Sequence, residues 1–293
     1  MGCKAKFNNT GKSRCQIDWM LLKKVIVMPL GTEFTGSDID DWLQQGIHKA
    51  DPSQRFYPMP DITGVDNNTG DGSSYTNGIG VTTYITPGLV AFTQRFDPDV
   101  CLQNRLIGGF NDNITRSFLF IDQNNRIWGV KTANGMKGFT GRLYVRGSGI
   151  TSPDNIAEPS ISYSLTKAAE MESKWFVESD VAAEEIDGLL DVTMSVVTDS
   201  SNLLIKFSVD GCGNDDVTAE MQTIAGQANC WLVGDTNGYA AIDTAPTWDA
   251  TAGAFKVASN TVASGKTLKL ADPSVLYGKG VTNKECVNSY TAA

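Results

Sequence analysis

Residues 117–145, SFLFIDQNNRIWGVKTANGMKGFTGRLYV, decide how the rest of the chain is read. Their β-formers, Phe118, Phe120, Ile127, Trp128, Val130, Phe139, Leu143 and Val145, fall in three short runs. Asp122-Gln123-Asn124-Asn125 separates the first two runs, and Thr132-Ala133-Asn134-Gly135 separates the next two. Asn and Gly tolerate the positive φ that tight hairpin turns require, so the pattern predicts a three-strand meander. Nothing in the stretch has the residue types of a reaction centre. It specifies a sheet.

Working outward toward the N-terminus, residues 25–30 predict a strand stopped by Pro29. Residues 1–24 ahead of it carry Lys4, Lys6, Lys12, Arg14, Lys23 and Lys24, and are expected to form an arm, either mobile or docked on a neighbouring subunit. After the strand, Ser37 is the expected N-cap of a helix whose first turn holds Asp38, Asp40 and Asp41. Ile39, Trp42, Leu43 and Ile47 then line one helical face. Residues 55–62 are extended because each residue before a proline is pushed from the α region. Residues 66–80 read as a long polar loop. Strands are expected at 81–85 and 89–95, on either side of Pro87-Gly88, and 102–110 is a short helix or strand.

Beyond the meander, residues 161–165 alternate at period two, as a strand does, and 166–174 (TKAAEMESK) are good helix formers. From Leu189 the texture changes. Residues 191–197 and 203–209 predict a hairpin across Thr198-Asp199-Ser200-Ser201, with further strands at 230–233, 254–257 and 267–270. Many short strands between Gly, Asn, Asp and Ser predict a small antiparallel sandwich of immunoglobulin-like (Ig-like) type. The expected organisation is therefore mainly β, with one β domain over 1–188, including the 1–24 arm, and an Ig-like β-sandwich over 189–293.

Composition narrows the function classes. At 293 residues, with 41% hydrophobic and 19% charged residues, the chain reads as a soluble globular protein of one large or two ordinary domains. No apolar run approaches the roughly 20 residues that cross a bilayer. The N-terminus lacks the apolar region of a signal peptide, and Lys6 stands where a myristoylation motif needs Ser or Thr, so folding in a cytoplasm is expected. A net charge of −9 argues against duplex DNA or an anionic membrane as a tightly held ligand.

The chemistry-bearing residues are sparse. The six cysteines, Cys3, Cys15, Cys101, Cys212, Cys230 and Cys286, show no C-x-x-C, and His48 is the sole histidine, so no zinc site is expected. Reduced thiols are expected, with Cys212 and Cys230 the pair that could bridge neighbouring strands. Asp38, Asp40 and Asp41 read as helix-start charges rather than a metal site. The 66–80 loop fails the EF-hand pattern, because Asp71 stands at the sixth position, and it forms neither G-x-G-x-x-G nor a P-loop. Glu170 and Glu172 would point to different sides of a helix, toward solvent. Trp175, Trp231 and Trp248 could stack on sugars, but core packing is the expected job of each. With no G-x-S-x-G either, no catalytic, metal or cofactor residue is assigned and no enzyme is expected. A hydrolase using two carboxylates would leave no local spacing to read.

Several short signatures together resemble a known family. In order they are Phe34-x-x-x-Asp38-Ile39, residues 55–62 (RFYPMPDI), Phe120-Ile121-Asp122 with Trp128-Gly129, and Gly138-Phe139. Then come Ile205-x-Phe207-x-Val209-x-x-Cys212, Asp216-Val217-Thr218 and Leu270-x-Asp272-Pro273-x-x-Leu276-Tyr277. The chain resembles virion structural proteins from tailed phages of Bacteroidetes, including crAss-like phages. The resemblance implies a tail-tube or tail-ring type subunit with an appended Ig-like domain and no catalytic residues. It implies partners as well: copies of itself in a homo-oligomeric ring, and neighbouring ring, portal or tail proteins of the virion. No membrane anchor and no sequence-specific nucleic-acid contact are expected. A glycan- or receptor-binding β-sandwich adhesin and a capsid decoration protein are the alternatives.

Overall fold

The structure, a computed structural model, describes residues 21–86, 88–150, 158–211 and 213–292. It is mainly β, as the sequence predicts. The chain divides into two units, the described part of Met1–Gln44 with Phe56–Asp187, and Gln45–Arg55 with Gly188–Ala293.

The first unit contains β1 (Leu22–Met28), β2 (Glu33–Phe34) and most of α1 (Ile39–Ile47). β3 (Tyr57–Pro58), β4 (Gly64–Asn67), β5 (Ser73–Thr76), β6 (Thr82–Thr86) and β7 (Ala91–Arg95) follow. After α2 (Val100–Phe110) come β8 (Arg116–Asp122), β9 (Arg126–Lys131), β10 (Met136–Lys137) and β11 (Phe139–Arg146), then β12 (Ser160–Leu165) and β13 (Lys174–Glu178). Eleven of these strands share one sheet, with β5 and β6 forming a separate pair.

The 117–145 stretch is its centre, but the meander departs from expectation. The β8–β9 hairpin closes with only Phe120↔Trp128 and Ile121↔Ile127 before the two strands part. The third run enters the fork. Its start, β10, pairs with β9, and its continuation, β11, crosses to pair with β8 at Phe139↔Phe118. The strand changes partner at Gly138, where an added Cβ would stand 2.8 Å from the Phe118 nitrogen. Such a corner tolerates no side chain. The single sheet thus branches at β8, with β1-β3, β11-β12-β7-β4 and β9-β10-β2 as its arms and β13 beside β9.

β8 is buried on both faces, which is why its sequence is a continuous apolar run. Phe118 and Phe120 join Val25, Val27, Phe92, Phe139 and Tyr163 in the main core, while Leu119 and Ile121, on the other face, are equally buried. Each such side chain contributes about 1.5–3 kcal/mol by leaving water. The turn after β8 is organised by the buried Asp122 carboxylate. It accepts from the Asn124 and Arg126 amides at 2.9 and 3.2 Å and from the Trp128 indole at 2.9 Å.

Three local expectations are corrected. The cap of α1 is Asp38, not Ser37, because the Asp38 carboxylate accepts from the Asp40 and Asp41 amides at 3.1 and 3.0 Å. β1 begins at Leu22, so residues 22–24 are strand and not arm; residues 1–20 lie outside the described chain. Lys24 is buried, and its ammonium meets Asp61 at 2.9 Å, Asp187 at 3.5 Å and the Ile186 carbonyl at 2.9 Å. Strand alternation places Lys24 opposite Val25, and these three acceptors make its burial tolerable.

The second unit contains β14 (Leu190–Asp199), β15 (Asn202–Val209), β16 (Trp231–Asp235), β17 (Gly238–Ala241) and β18 (Thr247–Asp249). β19 (Ala254–Ala258), β20 (Thr267–Leu270), α3 (Pro273–Tyr277), β21 (Lys284–Cys286) and β22 (Tyr290–Thr291) complete it. One sheet runs β18-β19-β15-β14-β21 and the other β17-β16-β20-β22. With β14 to β20 lettered A, B, C, C′, D, E and F, these orders are D-E-B-A and C′-C-F, and the last two strands extend one sheet each, β21 parallel to A and β22 antiparallel to F. That is the Ig-like arrangement. Trp231 opens strand C and is fully buried against Phe207 of B and Phe255 of E, with ring centroids 6.1 and 5.1 Å away.

Residues 45–55 joining the second unit had no signal in the sequence. Arg55 forks onto Glu285 at 2.6 and 2.9 Å. The His48 ring stacks on Tyr277 at 4.2 Å, and its Nε2 accepts the Asn283 amide at 3.2 Å.

Candidate assembly surface

The feature with most to offer a partner grows from the edge of the first unit's sheet. β4 pairs with β7 from Gly64↔Arg95 to Asn67↔Phe92, and the same two chains run on past a neck into the β5–β6 hairpin. At the neck the backbones nearly touch. A Cβ added to Gly88 would lie 1.7 Å from the Gly70 carbonyl oxygen, so this crossing requires glycine. At the tip, the Asn77 side chain accepts from the Ile79 and Val81 amides at 3.1 and 2.9 Å, while the Asn77 amide donates to the Val81 carbonyl at 2.9 Å. Thr76 and Thr82 join across the strands by their hydroxyls at 2.8 Å.

This arm is well formed and uncovered. Residues 73–86, SSYTNGIGVTTYIT, contain no charged side chain. Ile79 is 85% exposed and Tyr84 64%, with Tyr75, Val81 and Ile85 also open to solvent. β5 and β6 pair with each other and with no other strand among the described residues. Natural sheet edges are blunted by lysine, proline or charge, and this hairpin's strands carry none. An isolated two-stranded hairpin is marginal in water. Its backbone edges and aromatic side chains match what a pairing partner would supply.

The sequence reading placed most of this element in a loop. The signal was present in Asn77-Gly78 between the runs 73–76 and 82–86. It was obscured because Ser and Thr in those runs read as loop-formers when no core-facing alternation accompanies them.

The residues weighed for chemistry occupy structural posts. Asp40 accepts from the Ser179 hydroxyl at 2.5 Å and the Asp180 amide at 2.9 Å, tying α1 to the chain after β13. Glu170 is not solvent-facing. It lies buried in a 3₁₀ turn, where it takes the Thr140 amide at 2.6 Å, the Thr140 hydroxyl at 2.9 Å and Lys137 at 2.9 Å. Glu172 is exposed as expected. Trp231 is core, Trp248 packs edge-on to Phe255 at 5.3 Å, and Trp175 lies under the Lys131 ammonium at 3.5 Å. Cys230 is a free, buried thiol, so it forms no bridge to Cys212, which lies outside the described residues. Cys101 is disulfide-bonded, so uniformly reduced thiols do not hold there. No group of three or more His, Cys, Asp or Glu among the described residues could hold a metal ion.

Two carboxylates make the fold acid-sensitive. Burial alone would raise the Glu170 carboxyl, but its bonds from Thr140 and Lys137 outweigh that and hold it below its ordinary value. The paired hydrogen bonds from Arg116 hold Asp112 down at about 2. Both groups titrate lower in the folded state than in the unfolded one. Their stabilisation is therefore complete above about pH 5 and is lost as pH falls through each folded value, which for Asp112 is about 2. Urea midpoints should be flat from about pH 7 to 5 and drop below about 4.5. Glu170→Gln should flatten that drop, and an unchanged acid slope in the variant would refute its assigned share.

No protein-family model matches the chain, and no curated protein matches it either.

Proposed function

We propose that the chain is a structural subunit of a tailed-phage virion, assembling head to tail with copies of itself into a ring or tube of the tail or neck through which DNA passes. The observation that carries this reading is the charge-free arm at residues 73–86. On a chain of net charge −9, like copies repel, and contact through neutral surface lowers that cost. The arm is such a surface, and it offers strand edges for pairing. Head-to-tail contacts of this kind close into rings when the rotation between copies permits. Stable ones bury upward of about 2,000 Å², which calls for the arm together with more of the subunit surface. An acidic conduit also lets DNA slide without adhering. The signatures quoted above point to the same class of protein.

The test is sedimentation velocity and negative-stain imaging of the full chain. Wild-type protein should form closed rings or stacked rings at micromolar concentration. Ile79→Asp with Tyr84→Asp should return it to monomer while leaving its melting temperature within a few degrees, because neither side chain is buried in the subunit. Wild-type protein that stays monomeric, or an arm variant that assembles as before, overturns the proposal.

A further inference from the structure

We propose that the outer edge of the Ig-like unit carries a shallow site for sugars, built on the C–C′ hairpin. It concerns the second unit alone and stands whether or not the chain forms rings. The hairpin, β16 to β17, reverses across Thr236-Asn237 and borders an open cleft of about 670 Å³. Asp235, Asn237, Tyr239, Thr261 and Lys266 line it, and small residues such as Gly234, Gly238 and Ala263 keep it open.

The chemistry of that lining suits a hexose ring. Sugar recognition needs an apolar platform for the C–H face and paired donors and acceptors for vicinal hydroxyls. Tyr239 supplies the platform. The residue is 42% exposed, and the Lys269 ammonium lies 4.0 Å from its ring centroid. That cation–π contact restrains the ring before any ligand arrives, so stacking on it forfeits little further freedom. The donors and acceptors come from Asp235 and Lys266, which are ion-paired side by side. Lys266, with the Asn237 amide at 2.8 Å, holds the Asp235 carboxyl below its ordinary value, so an acceptor and a donor stand together through the neutral range. The Asp235 and Lys266 charges cancel and Lys269 beside the ring leaves one local positive charge, so the site selects sugars by ring stacking and hydroxyl pairing and not by repelling acidic ones. The tryptophans that the sequence offered as sugar platforms lie in the core or against neighbouring side chains, so this site was not legible from aromatic content.

The experiment is an array of neutral and acidic oligosaccharides probed with labelled full-length protein. Retention on a subset of the glycans is expected, neutral ones among them. Tyr239→Ala should lower it at least tenfold, and Lys266→Gln should weaken it severalfold. Ile79→Asp with Tyr84→Asp is the control that separates this site from assembly, since it leaves the cleft intact and removes only multivalent enhancement. Retention of no glycan, retention confined to acidic glycans, or retention unaffected by Tyr239→Ala overturns the proposal.

Discussion

Asp122→Ala should destabilise the first unit by about 3–5 kcal/mol, a large share of a typical domain's stability. The carboxylate has no exposed surface, and its loss strands three donors, the Asn124 and Arg126 amides and the Trp128 indole. Each buried donor left unsatisfied costs about 1–3 kcal/mol, with water recovering part of it. Packing suffers too, because the indole packs at a tilt on Phe176 with centroids 5.0 Å apart and is oriented partly by Asp122. Asp122→Asn should fall between wild type and alanine, since its oxygen keeps one acceptor role while its amide meets a donor. Hydrogen exchange read by mass spectrometry on peptides spanning 116–146 isolates the effect. Protection within about 1 kcal/mol of wild type in the alanine variant would remove Asp122 from its place at the centre of the fold.

For the second unit, Trp231→Ala should cost about 3–5 kcal/mol. The indole is fully buried between Phe207 and Phe255, and its N–H donates to the Ile224 carbonyl at 3.2 Å. Truncation opens a large cavity between the two sheets and frees a buried acceptor. Few other residues of this unit contribute as much area, so a domain of roughly 100 residues would sit near its unfolding threshold. Trp231→Phe keeps most of the apolar volume and should cost about 1–2 kcal/mol. Exchange rates over 190–292 provide the readout. Equal protection in the alanine and phenylalanine variants would show that the sheets are held by something other than this contact.

The aromatic contact at Trp231 and the carboxylate at Asp122 differ in how visible they were. A tryptophan opening a predicted strand within an Ig-like pattern is a natural core residue. An aspartate in a turn reads as a turn residue, and only the fold reveals that its side chain points inward to an indole six positions on. Glu170 is a sharper case. Its neighbours are helix formers, which makes a solvent-facing position the natural expectation. A 3₁₀ turn and the approach of Thr140 place it inside instead.

By itself the sequence determined the class of the fold, the hairpin at 191–209, the Ig-like texture that follows it, and the β-forming runs of 117–145. These follow from turn residues and side-chain periodicity, which act over a few positions and need no distant partner. Tertiary structure alone decided the strand exchange at Gly138, the burial of Lys24 and Glu170, the membership of residues 45–55 in the second unit, and the exposure of the 73–86 arm. Each of those depends on which remote segments supply contacts or leave a surface bare, and no local window of residues carries that information.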